Sequence, residues 1–335
     1  MAIIQKICAR LYREAKYLSR DIYHTLGLYH NFYKQARGSR IMVYHGICQQ
    51  NPTRFNTLFL TQKTFEAHLK FYKKHFNVVS LADYYQQKFS DNKFNICLTF
   101  DDGFTNNHKY VLPLLAQYKI PATFFITAIR AAGYDILWND FLSISSKTGP
   151  QNINLNGENY YKDRHNKFLS TVNGISLADQ LRACGFDKKA EMMALLSPTA
   201  NFKTNKQLDD YWLQMTTEQI RELSASPFLT IGAHGYYHND LAKIGIQDAA
   251  EEMSFSKQYL ENLTGKEVNS LAFPYGSYSD EVIAAAKQTG YKQLLATDFL
   301  SASDHTNSYL RERFTVNPFI SVINQMYATI KHKYE

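Results

Sequence analysis

The chain has 335 residues, 45% of them hydrophobic, and carries 37 Lys and Arg against 30 Asp and Glu for a formal charge of +7. That length and apolar fraction suit one elaborated domain or two small ones and exclude a disordered or fibrous protein. In the first forty positions Lys6, Arg10, Arg13, Lys16, Arg20, Lys34, Arg37 and Arg40 face only Glu14 and Asp21. The remainder is therefore close to neutral, which argues against a nucleic-acid-binding body.

Residues 1–40 form a predicted N-terminal helical extension, in which Ile3, Ile4, Ile7, Leu11, Ala15 and Leu18 recur at helical spacing with basic residues between them. Such a helix either packs its stripe on the body or makes a peripheral membrane contact. Packing on the body is the expectation, because amphipathic helices mostly face their own core. The stretch MAIIQKICARLYREAKYLSR has no secretory apolar core or small-residue cleavage site. No run of about eighteen uncharged apolar residues follows anywhere, so the expected location is cytoplasmic. Cys8, Cys48, Cys97 and Cys184 are too scattered to suggest a disulfide framework or a cysteine zinc site.

After Arg40, short β-rich apolar runs alternate with helical stretches, the pattern of an α/β fold with a mainly parallel sheet. The predicted strands are 41–44, 78–81, 95–100, 122–126, 229–233, 271–273 and 294–297. A helix between the first two carries Phe65, Leu69, Tyr72 and Phe76 at steps of four, three and four. Another is predicted from Thr216, where TTEQIREL holds a Thr-x-x-Gln capping box, and a third from Ser279 to a stop at Gly290. The stretch 133–215 is polar, rich in Asn and Lys and without an evident strand. It is predicted to be a mostly helical insertion over one end, separating a first barrel part (41–132) from a second (216–335).

In parallel α/β folds, active sites gather where strands end. Four unusual polar groups fall there: His45 after 41–44, Asp101 and Asp102 after 95–100, His234 after 229–233, and Pro274 with Tyr275 after 271–273. His234 and His238 in GAHGYYHND are four apart, a spacing that brings two imidazoles to one face of a helical turn. Two histidines alone could be an incidental surface pair. With a strand-end carboxylate as third ligand and one open position, they have the form of a catalytic metal site. Adjacent aspartates in water-poor surroundings would otherwise repel until one took up a proton. A cation resolves the conflict if one aspartate ligates it and the other faces the attacking water, with Gly103 allowing a sharp turn.

TFDDG, the His-x-x-x-His of HGYYH, and FPYG together resemble the three central motifs of the polysaccharide deacetylases, the metal-dependent NodB-like carbohydrate esterase family. The resemblance spans residues 40–132 and 216–298 and implies a distorted (β/α) barrel. It also implies Asp101 as general base, Asp102, His234 and His238 as metal ligands, and the backbone N–H of Tyr275 in the oxyanion hole. The implied cofactor is a divalent metal, with zinc expected and cobalt, nickel or iron able to fit such a set.

Two departures stand out. The family's arginine two residues before the Pro of the third motif is Ala272 here, with Arg311 or Arg313 as candidate substitutes. The residue after the first motif histidine, usually Ser or Thr, is Gly235. The chain also lacks a closing Leu-x-His motif. Its early IMVYHGI instead supplies His45, resembling the circularly permuted branch that includes poly-N-acetylglucosamine deacetylases, with His45 as general acid and His305 as the alternative. The implied activity is deacetylation of an N-acetylated sugar in a glycan or glycan precursor. Two other readings stay open: an O-acetyl esterase on the same fold, and a non-catalytic carbohydrate-binding homologue.

Overall fold

The computed structural model describes residues 2–334, with side chains from residue 5 onward. Its centre is a sheet of parallel strands: β1 (Ser39–Tyr44), β2 (Asn95–Phe100), β3 (Ala122–Ile126), β4 (Leu229–Ala233), β5 (Ser270–Ala272), β6 (Gln293–Ala296), β7 (Leu310–Glu312) and β8 (Phe314–Thr315). Their order across the sheet is β7-β6-β5-β4-β3-β2-β1-β8, and a short strand, Asn77–Val78, pairs with the start of β2. β7 and β8 lie on opposite edges, yet only Arg313 separates them in the chain. The two edges must therefore meet at Arg313, which makes the sheet a nearly closed (β/α) barrel.

Side chains alternate across this wall as strand geometry requires. Ile41, Cys97, Phe125, Ala272 and Leu295 share one buried cluster. Their sequence neighbours Met42, Leu98, Phe124, Leu271 and Leu294 belong to the larger core under the surrounding helices. Gly232 of β4 is needed for this packing, since a Cβ there would lie 2.4 Å from Cε1 of Phe125.

The strand and helix assignments made from sequence match closely, with instructive exceptions. The predicted strand 78–81 stops at Val78 because the Ser80 hydroxyl accepts from Asp83 N–H at 3.1 Å and caps a short helix, Leu81–Tyr85. β7 and β8 were not predicted: they are three and two residues long, and the run LRERFT that holds them reads as a polar loop. Thr216 makes its capping box with Gln219, and Ser279 caps Asp280–Gln288.

One expectation is incomplete and another needs correction. The regular structure of the insertion 133–215 is mostly helical, with Trp138–Thr148, Leu177–Arg182 and Phe186–Leu196, but it also holds a three-stranded antiparallel sheet, Asn152–Leu155, Glu158–Lys162 and Phe168–Ser170. The overlooked signal is the Asn156-Gly157 turn, with φ of 53° and 85°, between residues that alternate exposed and buried. The strands' outward positions are mostly polar, so the segment lacks a β-rich apolar run. The insertion's apolar residues, Trp138, Ile144, Tyr160, Met192 and Trp212 among them, share one core with Cys48, Phe59 and Phe104 of the barrel loops.

The N-terminal helix α1 (Ala2–Thr25) is present, but its apolar stripe does not pack on the body. Ile7, Leu11, Leu18 and Ile22 are 53%, 60%, 61% and 48% exposed, and Ala15 is exposed as well; the side chains of Ile3 and Ile4 lie outside the described residues. The docked face instead meets the helix Val322–Lys331 and its cap through polar and aromatic contacts. Asp21 accepts from Ser321 at 2.6 Å, Asn324 donates to the Tyr17 carbonyl at 3.0 Å, and the Arg20 guanidinium lies 3.9 Å from the Tyr327 ring centroid.

Gly232→Ala should lower the melting temperature by an amount equivalent to about 1–3 kcal/mol, because an added methyl overpacks the barrel interior. Thermal unfolding followed by circular dichroism checks this.

Candidate active site

All six residues singled out from sequence, His45, Asp101, Asp102, His234, His238 and Tyr275, line one cavity of about 230 Å³ at the C-terminal ends of the strands. Strand parity explains part of this convergence. Asp101 continues the inward row of Cys97 and Thr99, and His234 that of Gly232. Asp102 should then point outward, but its φ of 75°, followed by 84° at Gly103, turns the backbone and brings its carboxylate to the same cavity. A Cβ on Gly103 would lie 2.9 Å from Cγ2 of Ile126, so glycine is required for both the turn and the close approach.

Arg313 holds Asp101. Its two terminal nitrogens donate to the two carboxylate oxygens at 2.7 and 2.8 Å, and one also donates to Thr99 Oγ1 at 3.2 Å. Both residues are buried, at 2% and 3% exposure. Burial pushes the Asp101 carboxyl up, but the Arg313 charge first, then His234, the Arg313 hydrogen bonds and His45, outweigh it and hold the group below its usual value. Between the two candidates, Arg313 is thus the arginine that reaches the site. Arg311 instead donates to the backbone carbonyls of Asn307 and Leu310.

Asp102 lies beside both histidines, its Oδ1 being 3.4 Å from His234 Nε2 and 3.2 Å from His238 Nε2. His234 Nδ1–H donates to the Ala272 carbonyl at 2.7 Å, which fixes the tautomer and leaves Nε2 free to ligate. Ligand atoms of Asp102, His234 and His238 lie within 4.8 Å of one another, all buried. Two imidazole nitrogens and a carboxylate with adjoining cavity space fit a divalent cation of the zinc class. Asp140, buried nearby, is not in that group of ligand atoms; burial first, and Asp102 second, push its carboxyl well above the usual range.

The loop between the two histidines is held from both sides. Glu252, on the helix Ile246–Thr264, accepts from the N–H groups of Tyr236 and Tyr237, each at 3.2 Å, and from the Asn239 amide. The insertion supplies the rest. Trp138 donates to the His238 carbonyl at 3.1 Å, Arg182 pairs with Asp240 at 2.6 Å, and Lys189 donates to Asn239. The Arg182 guanidinium also lies 4.4 Å from the ring centroid of Tyr275, whose ring is 4.8 Å from that of His238. Tyr275 has φ 61° in a turn fixed by Gly276 N–H donating to the Phe273 carbonyl at 2.9 Å.

His45 sits at the end of β1 with Nδ1 buried and without a protein partner, and burial pushes its pKa down despite both aspartates. His305, the alternative acid, is excluded by position. It lines a different cavity with Ser39 and Arg40, at the start of β1 and so at the opposite end of the barrel. Asn56 and Asn139 also line the site and were not foreseen, since nothing in a single sequence marks an isolated asparagine in a loop or insertion.

A polysaccharide deacetylase family model matches residues 89–154 and 197–294. The chain is 21% identical over 285 residues to YxkH of Bacillus subtilis, itself provisionally named a polysaccharide deacetylase, covering 84% of this chain and 72% of that one. Among solved structures it is similar to the Streptococcus pyogenes deacetylase PplD in complex with acetate (TM-score 0.56, 17% identity, 87% of this chain and 97% of that). It is likewise similar to a de-N-acetylase from Aggregatibacter actinomycetemcomitans (TM-score 0.52, 17% identity, 88% and 98%). Together the family match, the relative and the fold support a deacetylase of the polysaccharide deacetylase family.

Calorimetric titration with Zn²⁺ should show one equivalent bound to the wild type. His238→Ala should weaken that binding by more than the roughly 10–100-fold typical of losing a mere supporting contact.

Proposed function

We propose that the protein hydrolyses the N-acetyl group of an acetylated hexosamine in a glycan or glycan precursor, with a divalent cation held by Asp102, His234 and His238. The observation that carries this reading is the Arg313-bound carboxylate of Asp101 beside that ligand set, in a cavity that also holds His45. When bound, the cation supplies Lewis-acid polarisation of the acetyl carbonyl and makes water a better nucleophile near neutral pH.

The chain's own groups then divide the work. Asp101, kept ionised by Arg313, accepts the proton of the attacking water. The backbone N–H of Tyr275 donates to the developing oxyanion, in a turn already set before substrate arrives. His45 delivers a proton to the leaving amine, without which the tetrahedral intermediate would return to substrate. The insertion holds the histidine loop through Trp138, Arg182 and Lys189, and its Asn139 and the neighbouring Asn56 offer hydrogen bonds to sugar hydroxyls from the cavity wall. The similarity to a solved de-N-acetylase supports amide over ester as the scissile bond.

The test is acetate release from matched N-acetylated and O-acetylated oligosaccharides, read by mass spectrometry. The N-acetyl substrate should be preferred, and Asp101→Asn should lose about 10²–10⁴ in kcat while still binding the cation. Undiminished turnover in that variant contradicts the assignment of Asp101, and exclusive release from the O-acetyl substrate contradicts the choice of bond.

A further inference from the structure

The exposed stripe on α1 has no counterpart in the barrel. Ile7, Leu11, Ala15, Leu18 and Ile22 fall within roughly a quarter of the helix circumference at about 3.6 residues per turn. They face away from the side docked through Tyr17, Arg20 and Asp21. Tyr12, 71% exposed, adds to the same unpaired surface. A contiguous apolar patch of this kind marks an interaction surface.

Charge points to the partner. Of the net +7, the first forty residues hold +6, from eight basic and two acidic side chains. Along the N-terminal half of α1, Lys6, Arg10 and Arg13 are exposed and Lys16 half-exposed, against Glu14 alone. A second copy of the helix is the less favoured occupant, because it would add a second set of basic side chains, Lys6, Arg10, Arg13 and Lys16, with only Glu14 in the same half of each helix to offset them. No helix among the described residues is long and apolar enough to cross a membrane. An apolar stripe with a basic polar side is the pattern of a helix lying in the headgroup plane of an anionic bilayer.

We propose that α1 docks the protein on an anionic lipid surface, its stripe toward the acyl boundary and Lys6, Arg10 and Arg13 among the phosphates. The same half of the helix borders the loop after β8: Arg10, Arg13 and Tyr17 line a groove with Asn317, Ile320 and Phe319, the last 68% exposed. Because β8 ends at Thr315 on the wall of the catalytic cavity, docking through this half holds the catalytic rim beside the headgroups.

The test is co-sedimentation of the full chain with vesicles of phosphatidylcholine alone and of phosphatidylcholine mixed with phosphatidylglycerol. Binding should require phosphatidylglycerol and weaken with salt. Leu11→Ser with Leu18→Ser should reduce it about a hundredfold, and Arg10→Glu with Arg13→Glu at least about tenfold, both at an unchanged melting temperature. The proposal is overturned if the wild type stays in the supernatant, or if the serine variant sediments as the wild type does. It is equally overturned if those substitutions instead turn a dimer into a monomer, by sedimentation velocity, with no vesicle binding. Sedimentation reads binding alone, whatever the site hydrolyses.

Discussion

Arg313 stands between two strands on opposite edges of the sheet, and its guanidinium reaches inward to Asp101 with two hydrogen bonds. Closure of the barrel and ionisation of the proposed base are thus one constraint. A carboxylate buried this deeply would favour its neutral form, and a neutral Asp101 could not accept a proton. A guanidinium buried without a partner would cost about 3–5 kcal/mol. Each group makes the other tolerable, and the strand order brings them together although they are 212 residues apart.

The position left empty by the absent motif arginine follows from the same arrangement. Ala272 faces the barrel interior with Phe125 and Leu295, and Arg313 lies over the Phe125 ring, 5.5 Å from its centroid. A short residue at 272 leaves room for an arginine arriving from the far edge. The Ala272 backbone still contributes, since its carbonyl orients His234. The two adjacent aspartates are separated in role by backbone conformation: Asp101 points inward by strand parity, and Asp102 reaches the histidines only through its left-handed turn.

Much of this was legible in the sequence because strand ends concentrate chemistry at one face, and the polar residues that interrupt the apolar runs were the ones that converged. What was not legible depended on long-range geometry. LRERFT carries too few apolar residues to read as a strand, so the closing edge, and the choice of Arg313 over Arg311, appeared only in the fold. The orientation of α1 was not legible because periodicity shows that a helix has an apolar face but not which face the body engages. In the insertion, the Asn156-Gly157 turn was a local signal that polar composition obscured. Glu252 and Trp138, which hold the histidine loop, carry no signature at all in a single sequence.

The arrangement requires that Arg313 keep Asp101 ionised. The most direct measurement is the pH dependence of kcat/KM for the wild type and Arg313→Gln, which removes the charge while keeping a hydrogen-bond donor. With Arg313 present the carboxyl sits below its ordinary value, so activity dependent on the ionised base persists below the ordinary carboxylate range. Without it, burial dominates, and the acid limb should move up by roughly one to three pH units, with rates converging at higher pH. An acid limb that stays in place while the rate falls equally at every pH would contradict the claim and leave Arg313 as no more than the stitch that closes the barrel.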